Sequence, residues 1–239
     1  MIRRRARPRT ATVSTRRLEA FTDGVFAIAA TLLVLDLTVN DLSGATTDAE
    51  LWRGLVGMGP AIVSFAISFF LLCLLWTIHV RQFEYIVQVD GVMLVLNTLR
   101  LFGVVLIPFT TSLDSRFGDL ALGQTLLPVN FFWVVLFGYL LWMRASAPGS
   151  GLIEGLSPVE AARSRRDSLS AVILGAVVVV AAPFIGSWAF LAYALDTPLS
   201  RLLSGRAPAD AAEPTGIADR TEAGDARTSG SAEADPRPE

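Results

Sequence analysis

Four ionisable side chains stand inside stretches that are otherwise apolar: Asp23, Asp36, His79 and Arg100. On insertion scales such a group costs about 2.5–3.5 kcal/mol at a bilayer centre, so it faces protein or water and takes a partner. Asn97 lies one turn before Arg100 on the same helical face. Three kinds of chemistry use such groups: a polar clamp between helices, an ion path, or a proton relay. Catalysis is not among them. His79 is the single histidine and Cys73 the single cysteine, so no metal cluster, thiolate site or disulfide framework can be assembled. The glycines of Gly54-x-x-Gly57-x-Gly59 follow no strand and lead to no Lys-Ser/Thr ending. They suit close helix packing better than a phosphate loop. The expectation is no enzyme, no cofactor, no fixed metal and no nucleic-acid partner.

The elements that must position these groups follow from the runs around them. Gly54–Ile78, Leu120–Met143 and Ser168–Leu195 are free of charge, and each reaches the roughly 20 residues that cross a bilayer as a helix. In lipid a chain satisfies its backbone internally, which makes such runs helices. The fold class is all-α, a polytopic membrane protein with six expected spans. They cover Arg17–Val39, Gly54–Val80, Gly91–Leu113 and Leu120–Met143, and then Ser168–Leu203 divided at Pro183–Ile185–Gly186 into two short helices. One long tilted helix is the alternative for that last region. Asp23 and Asp36 bracket the first apolar core and no small-residue cleavage site follows, so it reads as a retained helix, not a signal peptide.

Arginine distribution sets the orientation. The arm up to Arg17 carries seven arginines, whereas the loop Asn40–Arg53 has Asp41, Asp48 and Glu50 against Arg53 alone. Arg144, Arg163, Arg165 and Arg166 follow the fourth span, and Arg201 and Arg206 follow the last. Both termini are therefore expected in the cytoplasm and the protein in the cell membrane. Residues 1–15 read as a disordered basic arm, 16–204 as the membrane domain and 205–239 as a disordered acidic tail poor in bulky apolar residues.

On the first span, Gly24, Ile28, Thr31, Leu32, Leu35 and Val39 fall at helical spacing on one stripe. Periodicity alone leaves open whether the stripe packs, meets lipid or lines a pore.

The pattern Arg-x-x-x-Phe-(Ser/Thr)-Asp-Gly-x-x-Ala-Ile-x-x-Thr-Leu-Leu-x-Leu, carried by Arg17, Phe21, Thr22, Asp23, Gly24, Ala27, Ile28, Thr31, Leu32, Leu33 and Leu35, resembles the first-helix motif of the transmembrane protein 175 family. Trp76 with His79 resembles the end of that family's second helix, and Asn97 with Pro108-Phe109 its third. Thr22 stands where the family usually has serine, which keeps the hydroxyl, and Arg100 lies outside the pattern.

The resemblance implies a potassium-permeable channel, a homotetramer in membrane lipid, with the first helix around the axis. It implies a constriction of Ile28, Leu32 and Leu35, with Thr31 hydroxyls between them, through which potassium ions pass without a fixed site. Arg17, Phe21, Thr22, Asp23, Trp76, His79 and Asn97 would form a packing network holding that helix. No Thr-Val-Gly-Tyr-Gly loop is present, so selectivity would come from pore width and apolar rings, not from a carbonyl cage. The rival reading is a proton-coupled secondary transporter using Asp23, His79 and Arg100. It lacks the paired repeats usual in transporters. Arg100 has no evident partner in the sequence; Asp23 and Asp90 are the candidates.

Overall fold

A computed structural model describes residues 14–37 and 42–195. The basic arm to residue 13, residues 38–41 with Val39 among them, and everything after Leu195, the acidic tail included, lie outside the described residues. The chain runs through α1 (Thr15–Leu32, continued by a 3-10 turn Leu33–Asp36), α2 (Asp48–Gly57), α3 (Gly59–Phe83), α4 (Gly91–Arg116), α5 (Ala121–Ala145) and α6 (Pro158–Ile185), ending in a 3-10 segment Gly186–Leu195. It is a helical, multi-pass membrane protein. Five of these stretches are long and apolar enough to span a bilayer: Thr15–Asp36, Gly59–Phe83, Gly91–Arg116, Ala121–Ala145 and Pro158–Tyr193.

The helix starts are written locally. Thr47 and Glu50 form a reciprocal capping box on α2, and Ser157 and Glu160 do so on α6, with Pro158 in its first turn. The backbone N–H of Thr46 bonds Glu50 and holds its carboxyl below the usual range. Asp90 caps α4 by accepting from the Met93 N–H at 2.9 Å, and Arg144 of α5 pairs with it at 2.6 Å. Asp90 is thus taken, and it is not the partner of Arg100.

Two expected boundaries move and a third is kept. Gly54–Gly57 belongs to the short α2, because the chain turns a corner at Met58 before Pro60 opens α3. Within the single chain a Cβ at Gly57 or Gly59 would meet nothing within 4 Å, whereas one at Gly54 would run into the Leu42 side chain, so of the three only Gly54 marks a close approach there. α6 begins at Pro158, ten residues before the expected Ser168, which puts Arg163, Arg165 and Arg166 on the helix instead of in a loop. The division before Gly186 is found: α6 stops at Ile185 and Gly186 takes φ 59°, a left-handed angle that favours glycine. The first half is 28 residues long, however, and not a short helix. The ten residues after it are 3-10 and rise only about 20 Å at ~2.0 Å per residue. They return along α6, so that Tyr193 comes close to Gly175.

The interior holds two apolar clusters. The larger joins Phe26, Ala29 and Leu33 of α1 to Leu72, Leu101, Val104, Phe131 and Phe190. The smaller lies at the loop end, where Leu18, Phe83, Ile86, Met93, Trp142 and Leu152 meet. There the α3–α4 and α5–α6 loops pair through an antiparallel bridge between Ile86 and Ile153. Glu154 N–H donates to Tyr85 O and Val87 N–H to Leu152 O, both at 2.9 Å.

Candidate pore helix and its polar anchor

α1 has two unlike faces. Leu18, Thr22, Phe26 and Ala29 are buried, and Leu33 continues the row. These positions recur every three to four residues, so they lie on one side of the helix, against α3 and α4. The opposite side carries Gly24, Ala27, Ile28, Thr31, Leu32 and Leu35, all exposed in the single chain. Ile28 is 61% and Leu35 65% exposed. The Thr31 hydroxyl donates to Ile28 O at 2.8 Å, which leaves its oxygen lone pairs on the open side.

The buried side is fixed by polar contacts. Asn97 Nδ2 donates to Thr22 Oγ1 at 2.8 Å, tying α4 to α1. Trp76 Nε1 donates to Asp23 Oδ1 at 2.9 Å, tying α3 to α1. Asp23 is thus held by Trp76, and not by His79, Asn97 or Arg17. Arg17 and Phe21 lie on the exposed side and are not drawn into these contacts. His79 is fully buried, stacked on Phe26 with centroids 6.0 Å apart and tilted against Phe83 at 4.2 Å.

Arg100 is 1% exposed. Its Nη1 meets His79 Nδ1 at 3.4 Å and its Nη2 donates to Leu75 O at 3.1 Å, while its Cζ lies 5.6 Å from the Phe26 centroid. A guanidinium only donates, so Nδ1 accepts and the ring proton sits on Nε2. The partner of Arg100 is therefore a neutral imidazole and a carbonyl, not the expected carboxylate. Gly138 makes the room, since a Cβ there would come within 3.2 Å of Cζ. Gly138-Tyr139 is thereby a helix-packing feature within α5.

Further along α4 the seam continues with residues the sequence reading did not single out. Thr111 donates to Ser68 at 2.8 Å, Ser64 donates to Asp114 at 2.7 Å, and Ser187 also bonds Asp114. Asn97, Arg100, Thr111 and Asp114 follow helical spacing, a signal that was present but diluted by apolar neighbours. Asp36 accepts from Ser115 at 2.8 Å and lies 3.9 Å from Arg116, its side chain 3% exposed. It is turned into the protein. Among the described residues no group of His, Cys, Asp and Glu could hold a metal ion.

A two-faced first helix anchored through Thr22 and Asp23 is matched by a family profile described as "Endosomal/lysosomal potassium channel TMEM175", over residues 17–108. The match covers about two fifths of the chain and shows a likeness over that segment. A protein of Streptomyces collinus named as a potassium channel is 37% identical over 101 residues, which are 42% of this chain and 48% of that one. The chicken protein named "Endosomal/lysosomal proton channel TMEM175" is 30% identical over 142 residues, 56% of this chain and 28% of its own. The chain spans about half the length of the bacterial relatives it matches. The crystal structure of a TMEM175 homologue from Chamaesiphon minutus, titled a lysosomal potassium-selective channel, superposes with a TM-score of 0.63 at 25% identity, over 80% of this chain and 96% of that one. The TMEM175 likeness thus extends in three dimensions beyond the matched segment, to α5 and α6.

Proposed function

We propose that the chain is one subunit of a homotetrameric, potassium-permeable channel of the cell membrane, with the exposed face of α1 lining the pore. One observation carries this reading: α1 presents an apolar stripe of Ile28, Leu32 and Leu35 away from the protein while Thr22 and Asp23 lock its other side. Polar contacts tie the other helices together as well; in α1 they fix the helix whose free face would set the width of the opening.

In the assembly, Ile28, Leu32 and Leu35 stack as apolar rings, and Thr31 oxygens lie between the first two. Such rings gate by excluding water, and selectivity arises from width and a few oxygen ligands. Discrimination of potassium over sodium is therefore modest. Arg17 and Phe21 lie next to the neighbouring subunit in this arrangement, completing the motif network across the interface. The termini face the cytoplasm.

Proton permeation is the second reading, favoured by the naming of the chicken relative as a proton channel. Planar-bilayer recordings of purified protein under asymmetric potassium, sodium and pH separate the two. The expected result is unitary potassium current without a second gradient. Ile28→Asn should raise conductance or loosen selectivity by removing the water barrier. Unchanged currents in Ile28→Asn would displace the constriction from Ile28, and flux that requires a proton gradient would favour the transporter.

A further inference from the structure

Three of the buried polar atoms without a hydrogen-bond partner, Arg100 Nε, Gln82 Oε1 and Trp142 Nε1, belong to residues that line one cavity. It lies between α3, α5 and α6 and encloses about 720 Å³, within the roughly 300–1,000 Å³ usual for ligand pockets. Leu71, Leu74, Ile78 and Val135 give it apolar walls. Arg81 and Glu84, both exposed, mark its open side, and Asp167, which is not without a partner, lines it as well.

Charge decides what fits. Among the described residues Arg100 hydrogen-bonds only to neutral acceptors, His79 Nδ1 and Leu75 O, and takes part in neither the Asp36–Arg116 nor the Asp90–Arg144 pair. A buried cation without a counter-ion favours an anion brought to it. Glu84 and Asp167 oppose a multiply charged anion, and the apolar walls favour one that carries a hydrocarbon chain. We propose that the cavity seats a phospholipid of single negative charge, its phosphodiester drawn towards Arg81 and Arg100 and one acyl chain along Leu71, Leu74 and Ile78. The lipid enters from the leaflet at the α3–α4 loop end, which the arginine distribution assigns to the cytoplasm.

The test uses full-length protein, delipidated in detergent and titrated with phosphatidylglycerol, phosphatidylcholine or glycerol phosphate, with bound ligand read by native mass spectrometry. Phosphatidylglycerol should bind about tenfold more tightly than phosphatidylcholine, a difference of one decade in affinity, and glycerol phosphate should not be retained. Ala171→Phe, which fills the cavity from its wall, should abolish the preference while leaving Arg100 in place. Arg81→Gln should reduce it by a smaller factor. Equal binding of the two lipids, or a preference that survives Ala171→Phe, overturns the proposal. Retention of glycerol phosphate as tight as that of phosphatidylglycerol overturns it too, in favour of a free-anion site. Because the readout is binding, the outcome is independent of whether the chain conducts.

Discussion

At the scale of single residues, the informative pairs cross between helices. Asp23 and Trp76 are 53 positions apart and Thr22 and Asn97 are 75 apart, so no local pattern could join them. Their types were legible, since polar groups on apolar helices require partners, but only the fold says which. Arg100 shows the limit: a carboxylate was the natural expectation, and the structure supplies imidazole, a carbonyl and an aromatic face instead. The Asp23–Trp76 bond can be weighed by a double-mutant cycle. Asp23→Ala and Trp76→Phe should each destabilise the chain, and the double variant should recover a coupling of about 1 kcal/mol. Strictly additive losses in thermal unfolding would show that the two side chains do not support one another. Asp23→Ala should also disrupt assembly more than permeation, read by size-exclusion chromatography beside currents.

At the scale of elements, α4 and α5 come into close contact at Gly103. A Cβ there would come within 2.7 Å of both the Trp133 ring and Val134. Asn130 donates to Gly103 O at 3.0 Å and Trp133 Nε1 donates to Leu99 O at 2.7 Å on the same face. Gly103→Val therefore overpacks the crossing and should cost roughly 1–3 kcal/mol, seen as a lowered Tm in detergent; an unchanged Tm would mean the helices part without penalty. The spans α3, α4 and α5 were readable because length and hydropathy act locally. The corner at Met58 and the early start of α6 were not, whereas the break at Gly186 was read and only the length of the helix before it was missed. A helix continues past the bilayer whenever its caps allow, and hydropathy reports only the greasy part. Ser157 and Glu160 were the missed signal for α6, a capping box ahead of arginines that look like loop.

Across the whole molecule, the α3–α4 and α5–α6 loops share one end, joined by Ile86–Ile153 and Asp90–Arg144. The arginine count assigns that end to the cytoplasm and the α1–α2 connection to the outside. In a Cys73→Ser background, Pro148→Cys should react with a membrane-impermeant thiol reagent only after cells are opened, and Ser43→Cys in intact cells. The reverse pattern would invert the protein. Charge gives the orientation only as an expectation, which this labelling tests, and the joining of the two loops was not legible, because it is a contact between segments with no shared motif.

That joining bears on what can stand alone. The stretch from residue 17 to residue 108 holds the family motif, yet Leu18, Phe83, Val89 and Met93 find their cover in Leu141, Trp142, Ala145 and Leu152. A fragment cut after α4 would bare those side chains to water at the membrane's edge. The motif-bearing segment is thus a dependent part, and the end of α5 with the loop after it is the cover that lets it exist.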